Sequence, residues 1–181
     1  MKPSVEAVNR SEKYTFSKPS QTEIHLIKGF GVEGDAHAGK TVKHRYLMNK
    51  DATRPNLRQV HLIDIELLNR LNAEGFSVQP GQLGENITTQ GIDLLALPTG
   101  TKLHIGTHAV VELTALRNPC HQIDDFQKGL LKLLLDKDEK GNPIRKAGVM
   151  SIVLSSGMVR PGDEISIILP PEPHQPLEYV W

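Results

Sequence analysis

Apolar and polar positions alternate over short distances along this chain, and turn residues cut the alternation again and again. Strand patterns fall at residues 5–8, 24–27, 58–64, 94–97, 102–105, 108–114, 147–154 and 164–169. Between the later ones stand compact turn signals, among them Pro98-Thr99-Gly100, Gly106-Thr107 and Arg160-Pro161-Gly162-Asp163. Only two stretches carry a helical period. Asp64 is a good N-cap for the first, whose face is Ile65, Leu68 and Leu71 and which Gly75 ends. The second, residues 121–135, puts Ile123, Phe126, Leu130, Leu133 and Leu134 on one stripe, read as core packing and not as a cofactor wall.

Closely spaced strands with few helices predict a mainly β fold, a closed or nearly closed barrel with two or more helices at its rim. A doubly wound α/β fold would need more helices between strands. No repeat and no shift of composition divides the chain, so one domain over residues 1–181 is expected, with residues 170–181 and their four prolines as an extended tail. Residues 40–56 are basic and irregular, and favour an exposed, solvated loop over a binding role.

Charge and cysteine content narrow the chemistry. Lys plus Arg (21) equals Asp plus Glu (21), so the global balance favours neither nucleic acid nor an anionic membrane as partner. One cysteine cannot form an internal disulfide, which points to a reducing, cytoplasmic setting. The first residues lack an apolar signal core, and the leucine run at 130–135 is far too short to span a bilayer. There is no Walker loop and no dinucleotide fingerprint. A zinc site is disfavoured by the single thiol and the lack of paired ligand spacing.

That thiol, Cys120, follows a β-rich run and a proline and precedes the second helical stretch. A strand end meeting a helix start offers backbone N–H groups and a positive dipole end, with Arg117 and His121 adding positive charge. Asp35 and His37 lie two apart on a glycine-rich loop. They read equally as part of a pocket, with His37 moving a proton, and as a turn in which Asp35 accepts from nearby backbone N–H groups. In Gly84-Glu85-Asn86-Ile87-Thr88, backbone amides and Asn86 suit a bound phosphate or the bracing of the loop itself.

Four stretches together resemble the MOSC domain, the C-terminal module of molybdenum-cofactor sulfurases that also occurs as a standalone bacterial protein. They are Gly34-Asp35-Ala36-His37-Ala38-Gly39; Gly84-Glu85-Asn86-Ile87-Thr88 with Gly91 and Asp93; Arg117-Asn118-Pro119-Cys120; and Ala147-Gly148-Val149 with Gly157 and Pro161-Gly162-Asp163. They follow the family's order over about residues 30–168. The resemblance implies a β-barrel and a role for Cys120, either as ligand to molybdenum in a pterin cofactor or as carrier of a persulfide. Cys120 is thereby expected to be catalytic and the metal ligand; from their own positions His37 is a second catalytic candidate, and Asp35, Arg58, Glu85, Asn86 and Arg117 are cofactor-binding candidates. A pterin phosphate also calls for cations, for which Arg145 and Lys146 are further candidates.

The leading expectation is a molybdenum–pterin-binding protein that reduces N-hydroxylated substrates with electrons from a separate donor protein. Its rival is a sulfur carrier that receives persulfide sulfur on Cys120 from a cysteine desulfurase. In that case pyridoxal phosphate belongs to the partner and is not bound by this chain. A third reading is a silent module that sequesters the cofactor or a related pterin.

Overall fold

The computed structural model describes residues 1–180. Its centre is β5 (Val60–Asp64), buried along its whole length. Alternate side chains point to opposite faces, so Val60 and Leu62 enter one core while Ile63 enters another. Asp64 then caps α2 (Ile65–Ala73) by accepting from Leu67 N at 2.8 Å, as its sequence position predicts. Leu67, Leu68 and Leu71 bury the inner face of α2. The chain returns parallel to β5 as β6 (Ile87–Gln90), which the sequence pattern merges into a turn-rich segment.

The main sheet is built outward from this pair. On one side come β11 (Val149–Ser155), β8 (Ala109–Leu116), β7 (Lys102–Ile105) and β13 (Ile165–Ile168). On the other come β1 (Ser4–Asn9) and the two residues of β2 (Ser20–Gln21). In β8 every second residue is buried: Ala109, Val111, Leu113 and Ala115. The sheet curls around this apolar face. Its ends approach through Val5 N to Asp163 O (2.9 Å), Gly162 N to Val5 O (2.8 Å) and Ile165 N to Pro3 O (2.8 Å). One isolated bridge, Ser4 to Glu164, is the only strand pairing there among the described residues, so the mainly β prediction holds without a continuous closing ladder. A smaller sheet joins β3 (Ile24–Ile27) to β4 (Gly31–Val32) and to β12 (Gly157–Val159).

Several expectations change. Residues 121–135 form two short helices, α3 (Gln122–Phe126) and α4 (Leu130–Leu134), and not one. Gly129 at φ +90° separates them, and the Gln127 amide is held across the gap by Ser77 O at 2.6 Å. The predicted stripe still packs inward, with Ile123, Leu130 and Leu134 joining the α2 face in the second core. The charged turn that follows closes a hairpin of β9 (Leu135–Lys137) and β10 (Pro143–Arg145). Residues 94–96 make a 3-10 turn in place of a strand. Residues 40–56 contain a helix, α1 (Arg45–Lys50), anchored by buried Leu47 and Val42. The proline-bearing tail bends at residues 171–173 and is then pinned: Leu177 is buried, and Thr99 N and Leu116 N donate to Gln175 O and Glu178 O. No helix among the described residues is long and apolar enough to cross a membrane.

Candidate functional site

Cys120 owes its position to the end of β8. Arg117 N donates to Gly148 O at 3.0 Å, holding the exit of β8 beside the start of β11. Gly148 adopts φ +89°, and a Cβ there would strike Leu62 O and crowd His61 Nε2, so a glycine is required. Pro119 is buried, and Ile123 N donates to Cys120 O as α3 begins. With Ile123 sunk in the second core, the loop is held from below. The Cys120 sulfur is half-buried, and Sγ lies 3.6 Å from Gln122 Oε1.

The sulfur faces a cleft of about 630 Å³. Five basic side chains line it: Lys18, Lys43, Arg45, Arg58 and Arg117. Among the described residues no Asp or Glu does, although acidic and basic residues are equal in number over the whole chain. All three tyrosines (Tyr14, Tyr46 and Tyr179) also line it, together with His37, His44, His61 and His121. A cleft this rich in cations and aromatic faces suits a planar ligand bearing an anionic group.

Part of the cleft wall is braced by a buried ion pair. Lys18 Nζ lies 3.0 Å from Asp35 Oδ2, with side chains 4% and 1% exposed. Asp35 also accepts from His37 N at 2.9 Å, Ser11 N at 3.2 Å and Asn86 Nδ2 at 3.1 Å. Burial alone would raise its pKa, but His37 and Lys18 hold it well below the ordinary carboxylate range. The same burial draws Lys18 down, against the pull of Asp35. His37 lines the cleft with Nδ1 3.5 Å from Asp35 Oδ1. Asp35 thus takes the turn-bracing role and His37 stands in the pocket.

Asn86 braces the loop, one of the two roles open to it, from a place on the cleft wall. It lines the cleft, and it ties three segments together by accepting from His61 N and donating to Asn9 O and Asp35. Glu85 is fully buried behind the wall, outside the lining. Its Oε1 accepts from Gly81 N and Thr88 Oγ1, while Oε2 has no partner, and burial pushes its carboxyl up. Arg117 donates to Leu83 O at 2.6 Å and packs over Phe16. Burial lowers its pKa, opposed by the charges of Cys120 and Glu85. Arg58 also lines the cleft, and Arg145 reaches it indirectly by donating from Nε to Asn118 Oδ1 at 2.9 Å. Lys146 instead pairs with Asp136 on the surface.

Several cleft residues escape sequence reasoning. Lys18 and Tyr14 come from a segment that reads as a polar link, and Tyr179 from the tail. Lys43, His44 and Arg45 come from the basic stretch that reads as a solvated loop, where the clustering of cations was the available signal. His44 is held down to about 4 by loss of water around the ring and by the charges of Arg58, His37 and Arg117. His61 is buried, which drives its pKa far below the usual value, so the neutral ring donates from Nε2 to Ala147 O at 2.8 Å. Among the described residues no group of three or more His, Cys, Asp or Glu side chains is arranged to hold a metal ion. Any metal in the cleft would take Cys120 as its single thiolate from the protein.

Comparison with known proteins gives the family and the fold. A sequence model of the MOSC domain matches residues 35–166. Among solved structures, the YuaD protein from Bacillus subtilis superposes with a TM-score of 0.73 at 23% identity, over 92% of this chain and 96% of that one. YiiM from Geobacillus stearothermophilus gives 0.66 at 16% identity, over 96% and 79%. YiiM from Escherichia coli gives 0.64 at 18% identity, over 97% and 73%. No curated protein matches the sequence significantly.

Proposed function

The chain belongs to the MOSC domain family, and from that premise we propose that it binds a molybdenum–pterin cofactor in the cleft, with the Cys120 thiolate as the protein's ligand to the metal. One observation carries the reading. In a chain with no net charge, the only thiol faces a cleft lined by five Lys and Arg side chains and, among the described residues, by no carboxylate. The volume lies within the range of about 300–1,000 Å³ usual for cofactor and ligand pockets. A soft thiolate suits molybdenum, and the cations suit the pterin's phosphate.

Bound there, the cofactor would supply two-electron redox chemistry, which the family resemblance directs to N-hydroxylated substrates with electrons from a partner protein. The chain's own residues would do the rest. Arg117, tied to Leu83 O, holds a guanidinium beside the thiol loop. Asp35 fixes the His37 backbone and faces its Nδ1, which leaves Nε2 as the ring atom for exchanging a proton with substrate. Asn86 and Lys18 keep the intervening wall rigid through Asp35.

The test is release of the organic part of the cofactor. Protein made in a host that synthesises the cofactor should, once denatured and oxidised, release about one fluorescent pterin per chain, the stoichiometry of a single built pocket. A protein that releases none, yet gains one sulfur atom on Cys120 after incubation with a cysteine desulfurase, would overturn the reading in favour of the persulfide carrier.

A further inference from the structure

The family match ends at residue 166, yet one cleft residue lies well beyond it. After β13 the chain runs back as a strap. Pro176 bridges to Pro98, Thr99 donates from its hydroxyl to Pro176 O at 3.0 Å, and Leu177 is buried. Leu116 N, at the end of β8, donates to Glu178 O at 2.9 Å. The strap therefore reaches the same strand end that presents the thiol loop, and its next residue is Tyr179.

Two arginines meet that ring. The guanidinium of Arg58 lies over it at 5.2 Å, and that of Arg145 at 4.8 Å. Arg58 also donates from Nη2 to Val180 O at 2.9 Å and hydrogen-bonds the Tyr179 side chain, so the strap grips it through ring, hydroxyl and backbone together. Arg145 in turn holds Asn118, two residues before Cys120. A long arginine side chain loses much rotamer freedom when fixed in one place. Stacking on an aromatic ring offsets that loss and leaves guanidinium N–H groups directed outward in the plane, the geometry that receives a phosphate.

We infer that the C-terminal strap is part of the binding site, and that Tyr179 is a positioning residue that holds Arg58 in the cleft to receive the phosphate group of the ligand. The inference rests on the reading of the cleft as a site for a phosphate-bearing cofactor.

Calorimetric titration of the full-length protein with inorganic phosphate, at low salt, tests it. Tyr179→Ala and Arg58→Gln should each weaken binding about tenfold, while Tyr179→Phe, which keeps the ring but loses the hydroxyl that bonds Arg58, should fall between the wild type and Tyr179→Ala. Tyr179 is half-buried at the surface, so none of these changes removes core packing. A second readout separates positioning from general loosening. Without phosphate, releasing Arg58 from the cleft should let the His44 pKa rise from about 4 in Tyr179→Ala, followed by proton NMR. If Tyr179→Ala binds phosphate as the wild type does and leaves His44 unmoved while Arg58→Gln is weakened, the strap is a bystander and the cleft reading survives. If neither substitution alters phosphate binding, both fall.

Discussion

Asp35 is the residue on which the cleft wall converges, and its chemistry sets an acid limit on the fold. Its carboxylate meets Lys18, His37, Asn86 and Ser11 at once. A carboxyl whose pKa is lower when folded stabilises fully above its unfolded value, near about 3.9, and loses that contribution as the pH falls through the folded value. Stability should therefore begin to drop below about pH 4 and keep dropping into stronger acid. Asp35→Asn should flatten that part of the profile, seen in melting temperatures between about pH 6 and about pH 2. At neutral pH the same variant should cost about 3–5 kcal/mol, because it leaves the Lys18 ammonium buried without its partner. A wild-type profile that shows no acid loss in this window would contradict the account.

Some of these residues are legible along the chain and some are not. Cys120 stands out because Arg117-Asn118-Pro119-Cys120 is contiguous and the thiol is single. Asp35 and His37 stand out by spacing alone, although the spacing does not say that one would brace and the other face the cleft. Lys18 is illegible: it is one lysine in a polar link, and only the fold brings it 3.0 Å from Asp35. Glu85 shares a motif with Asn86, yet consecutive side chains diverge, which sends one behind the wall and the other into it.

At the scale of elements, local chemistry predicts well where one segment decides its own conformation. Asp64, α2 and the alternation of β8 belong to that class. The break between α3 and α4 does not. The apolar stripe at 121–135 is consistent with one long helix, but Gly129 takes φ +90° and the Gln127–Ser77 contact holds the turn open. Gly129→Ala should cost about 1 kcal/mol through its positive φ, read from urea denaturation. An unchanged or raised midpoint would mean that the break is not required. The β9–β10 hairpin and α1 are hidden for a related reason. Their sequences are polar, and their conformations depend on strand partners or on a single buried anchor such as Leu47. Because α1 packs by Leu47, its basic neighbours Lys43, His44 and Arg45 are delivered to the cleft and not left in solvent.

Over the whole molecule the governing feature is a separation of charge that totals cannot reveal. Equal numbers of acids and bases argue against a large anionic partner, and nothing in that balance predicts that five of the bases would share one concave surface with the thiol. The fold makes this possible because β5 divides two cores. One fills the curled sheet and the other seats α2, α3 and α4, and the loop after β8 meets the segment leading into β5 at the cleft. The mainly β class was legible from the density of turns, whereas the near-approach of β1 to the segment before β13 depends on long-range hydrogen bonds that no local pattern encodes.

If the Cys120 sulfur is the protein's ligand to molybdenum, as proposed, metal content must depend on it. Wild-type protein from a cofactor-competent host should carry molybdenum at close to one atom per chain by elemental analysis. Cys120→Ser, which keeps the size of the side chain but loses the soft donor, should retain about a tenth of that or less. Equal molybdenum in both proteins, or none in either, would contradict the account.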